Sequence, residues 1–148
     1  MLDFKNIKSI REDNDLSQKE IANILNVSRS TYSLWKLGIN TIPLSYLYKF
    51  ATYFGISIDY VLGNRRCKKK NHNSFDLKVI GKNIKRYRLK NHISQENLAI
   101  LLNVSQPCIV RYEKGLIEIS TTNIYKLAKI FNISIDKLID NTLEKQKM

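Results

Sequence analysis

A chain of 148 residues has room for one ordinary domain or two small ones. A net charge of +12 in a sequence that is 43% hydrophobic describes a folded protein whose surface attracts anions, and argues against disorder over most of its length. Nucleic acid is the first partner class to consider and an anionic membrane surface the second. The chain has no run of 18 apolar residues and no signal-peptide core in "MLDFKNIKSIRED", so nothing points across a membrane and a cytoplasmic location is expected.

Sliding the sequence by 77 positions lays 6–63 on 83–140 without a gap, with about 22 identities among the 58 aligned positions. The chain is a tandem duplication, and its elements follow in two rounds. Copy one, residues 1–63, carries "NIK" at Asn6, "SQ" at Ser17, "LNVS" at Leu25 and "ISID" at Ile56; copy two repeats them at Asn83, Ser94, Leu102 and Ile133. Residues 64–75, "NRRCKKKNHNSF", lack apolar periodicity and hold five basic residues, the composition of a linker.

Copy two, residues 76–140, spells out the helices most clearly. Ile84 and Tyr87, then Leu98, Leu101 and Leu102, mark two amphipathic segments at helical spacing, the second with Ser94 as its N-cap. Asn103 and Val104 make a tight turn. Ser105 caps a third helix, Pro107 sits in its first turn, where a missing N–H costs nothing, and Gly115 supplies a left-handed stop. Thr121 to Phe131 and Ser134 to Ile139 are expected as helices four and five, and residues 141–148 as a tail. No alternating strand pattern competes. The expected fold is all-α, with two tandem five-helix domains.

Charge divides unequally between the copies. Residues 1–63 hold seven basic and six acidic side chains (+1), the linker +5, and residues 76–148 thirteen basic and seven acidic (+6).

Two short helices joined by a tight turn, the second starting at a capped serine, make a helix-turn-helix whose second helix fits the major groove. In such a helix the core-facing positions stay apolar while the groove-facing ones change with the DNA read. Tyr32 and Trp35 align with Ile109 and Tyr112, all apolar or aromatic. Arg29, Ser30, Ser33 and Leu34 align with Gln106, Pro107, Val110 and Arg111, which are unrelated in chemistry. The frame "LNVS…G" is kept to hold the fold and its contents are rewritten to read different bases.

At these residues the chain resembles the phage-repressor and Cro-like helix-turn-helix family, often called XRE-type. The resemblance covers both copies and leaves the linker and tail unmatched; "SQENLAILLNVSQPCIVRYEKG" follows the family pattern more closely than "SQKEIANILNVSRSTYSLWKLG". It implies a transcription regulator, and a repressor as the first expectation. It also implies that Gln18 and Gln95 contact a phosphate, and that a glutamate late in the recognition helix pairs with an arginine of helix one. Copy two has that pair as Arg88 and Glu113. Copy one has Lys36 opposite Arg11, leaving Lys36 to approach Glu12 or a phosphate.

The recognition helices are therefore 28–37 and 105–114, and the expected DNA-binding residues are Gln18, Ser28, Arg29, Ser30, Ser33 and Leu34 in copy one, with Gln95, Ser105, Gln106, Pro107, Val110, Arg111 and Lys114 in copy two. Gln106 suits bidentate bonds to adenine and Arg29 to guanine, whereas Arg111 reaches a guanine or a phosphate. Leu34 and Val110 suit thymine methyls or plain partial exposure. Trp35 and Tyr112 are expected in the core.

Tyr46, Tyr53 and Tyr60, on a nearly neutral copy, fit either a protein interface or the completion of a small core. That leaves a second reading, in which copy one dimerises or binds a partner protein and copy two alone holds DNA, as in an antitoxin or adaptor. Cys67 and Cys108, His72 and His92 have no metal-ligand spacing or nucleophile set, so neither a metal, a cofactor nor an enzyme is expected. No residues remain for a ligand-sensing domain, so no small-molecule effector is expected.

Overall fold

The computed structural model describes residues 5–63 and 74–140, so the expectations placed on the body of the linker, with Cys67 and His72, and on the tail 141–148 lie outside the described residues. The chain divides into two compact units, 1–71 and 72–148. Among the described residues all regular structure is helical: α1 (Lys5–Asp13), α2 (Gln18–Leu25), α3 (Arg29–Lys36), α4 (Leu44–Phe54) and α5 (Ile58–Val61) in the first unit, then α6 (Leu77–Lys90), α7 (Gln95–Leu102), α8 (Gln106–Glu113), α9 (Thr121–Phe131) and α10 (Ile135–Ile139) in the second. The all-α expectation stands.

Local chemistry sets these boundaries. Ser17, Ser28, Ser94 and Ser105 are N-caps whose hydroxyls accept from a backbone N–H three residues on, satisfying a donor the helix leaves unpaired. Ser17 goes further: its backbone N–H donates to Glu20 Oε2 at 2.7 Å, completing a capping box that Asn97 does not form in the second unit. Asn26 and Asn103 end α2 and α7 in the left-handed region, at φ 57° and 55°. Asp15 and His92 share that conformation at φ 56° in the preceding loops. The left-handed positions thus recur at the 77-residue period. The last helix is one residue shorter than expected from sequence, because Ser134 is its cap and not its first turn.

Each unit closes on its own core. Ile7, Ile21, Leu25, Tyr32, Leu47 and Phe50 are buried in the first, and Ile84, Leu98, Leu102, Ile109, Ile124 and Leu127 in the second. Full burial of such side chains contributes about 1.5–3 kcal/mol each. Asn6 and Asn83 tie the first helix of each unit to the last: Asn6 Nδ2 donates to the Tyr60 carbonyl at 2.9 Å, and Asn83 Nδ2 to the carbonyls of Leu138 (2.9 Å) and Asp140 (3.0 Å). Leu101 departs from expectation. Its spacing puts it beside the apolar stripe, but it is 54% exposed, with neighbouring Ile100 at 75%. The stripe of α7 is the narrower set Leu98, Ala99 and Leu102.

In the second unit α6 lies so close to the end of α8 that side chains are excluded. A Cβ on Gly81 would fall 2.5 Å from the Glu113 carbonyl oxygen and against that of Tyr112, and one on Gly115 would fall 2.7 Å from the Lys78 backbone. Gly115 also needs φ +68°, which a residue with a Cβ adopts only at a cost.

Candidate nucleic-acid interface

The caps fix the start of each recognition helix and the turns fix its angle to the helix before it, so sequence alone places the side chains along α3 and α8. Ser28 caps α3, with its Oγ 3.1 Å from Thr31 N, and Arg29 and Ser30 stand exposed in the first turn. Ser33 and Leu34 follow half-buried on the same helix. On α8, Ser105 accepts from Cys108 N at 3.3 Å, Gln106 and Pro107 are exposed in the first turn, Val110 is half-buried, and Arg111 and the C-cap Lys114 are exposed. Gln18 and Gln95 are the first residues of α2 and α7 and are half-buried. In each unit the expected residues therefore gather on one helix and the start of the helix before it.

Trp35 and Tyr112 sit inward, at 5% and 7% exposure, as expected of core positions. Their partners differ. Trp35 packs on the Tyr46 ring with centroids 5.2 Å apart, while the Tyr112 hydroxyl accepts from Asn123 Nδ2 at 3.2 Å. Tyr46 therefore completes the core, Tyr60 is half-buried, and only Tyr53, at 56%, is broadly exposed. Burial raises the Tyr112 phenol above its ordinary value, reinforced by a hydrogen bond with Cys108. Cys108 is a free, half-buried thiol.

What holds the recognition helix against the first helix is different in the two units. In the second, Arg88 is buried with each of its three nitrogens engaged: Nε donates to Glu113 Oε1 at 2.5 Å, Nη2 to Oε2 at 3.4 Å and Nη1 to the Ile93 carbonyl at 2.9 Å. Glu113 Oε2 also accepts from the Gln95 amide at 2.9 Å, a bond the sequence reading did not anticipate. One carboxylate thus ties α6, α8 and the start of α7 together. In the first, Arg11 keeps the carbonyl contact, with Nη1 donating to Leu16 O at 2.6 Å, but its carboxylate is Glu12, accepting from Nη2 at 3.3 Å.

Glu12 occupies the position of Leu89, so the acidic partner has moved from the recognition helix to helix one. Tyr32 fills the position of Ile109. Its hydroxyl and Arg11 Nε are buried without a well-aligned hydrogen bond, and burial raises the Tyr32 phenol above its ordinary value, partly offset by the charge of Arg11 and a side-chain contact with it. Of the two fates left open for Lys36, the approach to Glu12 is not the one adopted: Arg11 and Lys8 take that carboxylate.

Two such units, each with a capped recognition helix seated on a buried frame, define a helix-turn-helix protein. The helix-turn-helix family model matches the chain twice, over residues 7–61 and 84–138, and the chain belongs to that family, in its XRE-type form. An uncharacterized HTH-type transcriptional regulator of Methanocaldococcus jannaschii is 36% identical over 55 residues, covering 37% of this chain and 83% of that protein. Among solved structures, the restriction-modification controller protein C.AhdI from Aeromonas hydrophila shares 31% identity, covering 42% of this chain and 94% of its own, at a TM-score of 0.40. The hypothetical transcription factor NHTF from Neisseria shares 24% identity over 51% of this chain and 92% of its own, at 0.44.

Proposed function

We propose that the protein is a sequence-specific DNA-binding repressor, each unit reading one operator half-site through the exposed face of α3 or α8. One observation carries the reading: two recognition helices have the same caps and the same buried positions, but unrelated side chains at Arg29, Ser30, Ser33 and Leu34 against Gln106, Pro107, Val110 and Arg111. Phosphate contacts from Gln18 and Gln95 fix the docking, and the groove-facing side chains choose the bases. A twelve-residue linker spans at most about 40 Å, and equivalent half-sites lie about 34–36 Å apart, so one chain can occupy both. Because the helices differ, the operator is two unlike half-sites. Among the described residues no helix is long and apolar enough to cross a membrane.

The test is selection of bound sites from random DNA with the full chain, followed by footprinting. Two unlike half-sites on adjacent turns are expected. Failure to enrich any sequence defeats the reading.

A second reading has its own support. In the first unit Ile24, Tyr48, Lys49, Thr52 and Tyr53 line an open, mostly apolar groove of about 300 Å³. In the second unit the position of Thr52 is Lys129, whose ammonium lies 4.5 Å above the Tyr125 ring. The groove of the first unit lacks that cover, which suits a unit that dimerises or holds a partner protein while the second binds DNA. Light scattering on the complex separates the readings: a dimer protecting a palindrome only over α8 contacts favours this one.

A further inference from the structure

In the second unit the end of α8 and the start of α7 lie within reach of one side chain, since Glu113 accepts from the Gln95 amide at 2.9 Å. The first unit repeats that frame. Its α2 and α3 match α7 and α8 in length, serine caps and left-handed asparagine turn. The position of Glu113 is taken by Lys36 and that of Gln95 by Gln18. An ammonium therefore stands where, in the other unit, a carboxylate reaches the glutamine that opens the helix. An ammonium offers Arg11 no acceptor, and Arg11 turns instead to Glu12 and the Leu16 carbonyl. The nearest acidic residue of α2, Glu20, is committed to its capping box. Lys36 is half-exposed and forms no ion pair with the described residues.

We propose that Lys36 and Gln18 together clamp one backbone phosphate of duplex DNA, a contact that the second unit makes with Gln95 alone, held in place by Glu113. The inference rests on the DNA reading above. The chemistry of the two contacts differs. An ammonium that neutralises a phosphate releases a condensed counterion, so the contact is charge-driven and salt-sensitive. The Arg88–Glu113 pair has no net charge, and the amide it supports is a neutral donor with little salt dependence. The nearly neutral unit thus grips by charge at this point, and the strongly basic unit by preset geometry.

The test uses the full chain and a fixed duplex of about 40 base pairs, with affinity measured across a salt series. Lys36→Met keeps the apolar stem and removes the charge. The slope of log K against log salt should then shrink by about 0.9, with affinity about fivefold to tenfold weaker near 0.1 M salt. Lys36→Glu should weaken binding further while leaving the Trp35-reported unfolding midpoint of the first unit no lower, which excludes unfolding as the cause. An unchanged slope in Lys36→Met overturns the clamp. A wild-type chain that ignores the duplex at every salt concentration fails earlier, at the DNA reading itself.

Discussion

The first helix of each unit buries an arginine at the same register, and what surrounds it has been rebuilt. Around Arg88 an acid from the recognition helix supplies two bonds and a loop carbonyl a third, so that each nitrogen of the guanidinium has a partner. Around Arg11 the acid comes from the next residue of its own helix, and Nε and the Tyr32 hydroxyl go unsatisfied. The second arrangement couples two helices, while the first only neutralises a charge. The recognition helix of the first unit is held by apolar packing, and the end of α3 is free to carry a cation. Having Glu12 and Lys36 where the other copy has Leu89 and Glu113 therefore changes both how the helix is fixed and what it presents outward.

Trp35 is the only tryptophan, so its emission follows the first unit while far-UV dichroism follows both, and each contrast can be tested in the intact chain. The largest effect is expected from Glu113→Ala, which strands the buried Arg88 charge at a cost of about 3–5 kcal/mol. Urea unfolding should split, with an early dichroism transition that Trp35 does not see; a single shared transition would show that the ion pair is not what fixes the second unit. Gly81→Ala follows, at roughly 1–3 kcal/mol, because its Cβ would meet backbone carbonyls that cannot swing away. It too should be invisible to Trp35.

The tyrosines give opposite signs. Tyr112→Phe removes the acceptor of Asn123 and should destabilise the second unit by about 1 kcal/mol, whereas Tyr32→Phe removes an unpartnered buried hydroxyl and should leave the first unit unchanged or up to about 1 kcal/mol more stable. A clear loss in Tyr32→Phe would mean that the hydroxyl is satisfied in solution.

The smallest effect is on alkaline stability. Burial raises both phenols above 10, so the folded state holds the proton more tightly than the unfolded chain. Their contribution is complete below pH 10 and lost as the pH climbs through the raised values. In Tyr32→Phe the Trp35 midpoint should fall less steeply above pH 10 than in the wild type.

Most of the frame was legible because it is local chemistry. A serine before an apolar run, an asparagine at a tight turn and a glycine after an aromatic state their conformations within a few residues, and Ser105, Asn103 and Gly115 did so. The Arg88–Glu113 pair came from family resemblance. Leu101 and Tyr46 were harder, since a periodic stripe does not say how wide a neighbouring helix will cover it, nor which of two open readings, interface or core, an aromatic packed on Trp35 takes. The Arg11–Glu12 contact was least readable. Adjacent residues on a helix point apart, and only the inward turn of a long buried side chain brings them together. The bond from Gln95 to Glu113 was missed because it joins the start of one helix to the end of another, a proximity set by the packing of α7 on α8.

Tandem copies of one fold face a hazard that single domains do not, namely that a helix of one copy folds into the other during synthesis. The charges around the two arginines would disfavour it. If α1 docked on α8, Glu12 would arrive beside Glu113, two carboxylates around one guanidinium; if α6 docked on α3, Arg88 would meet Lys36 with no acid, since Leu89 stands where Glu12 should be. Each mismatched hybrid gives the arginine two acids or none, whereas each correct pairing gives it one. Making the first unit resemble the second, with Glu12→Leu and Lys36→Glu together, should then lower the yield of correctly refolded chain even where the unfolding midpoint does not fall, and an undiminished yield would show that the copies sort themselves by other means.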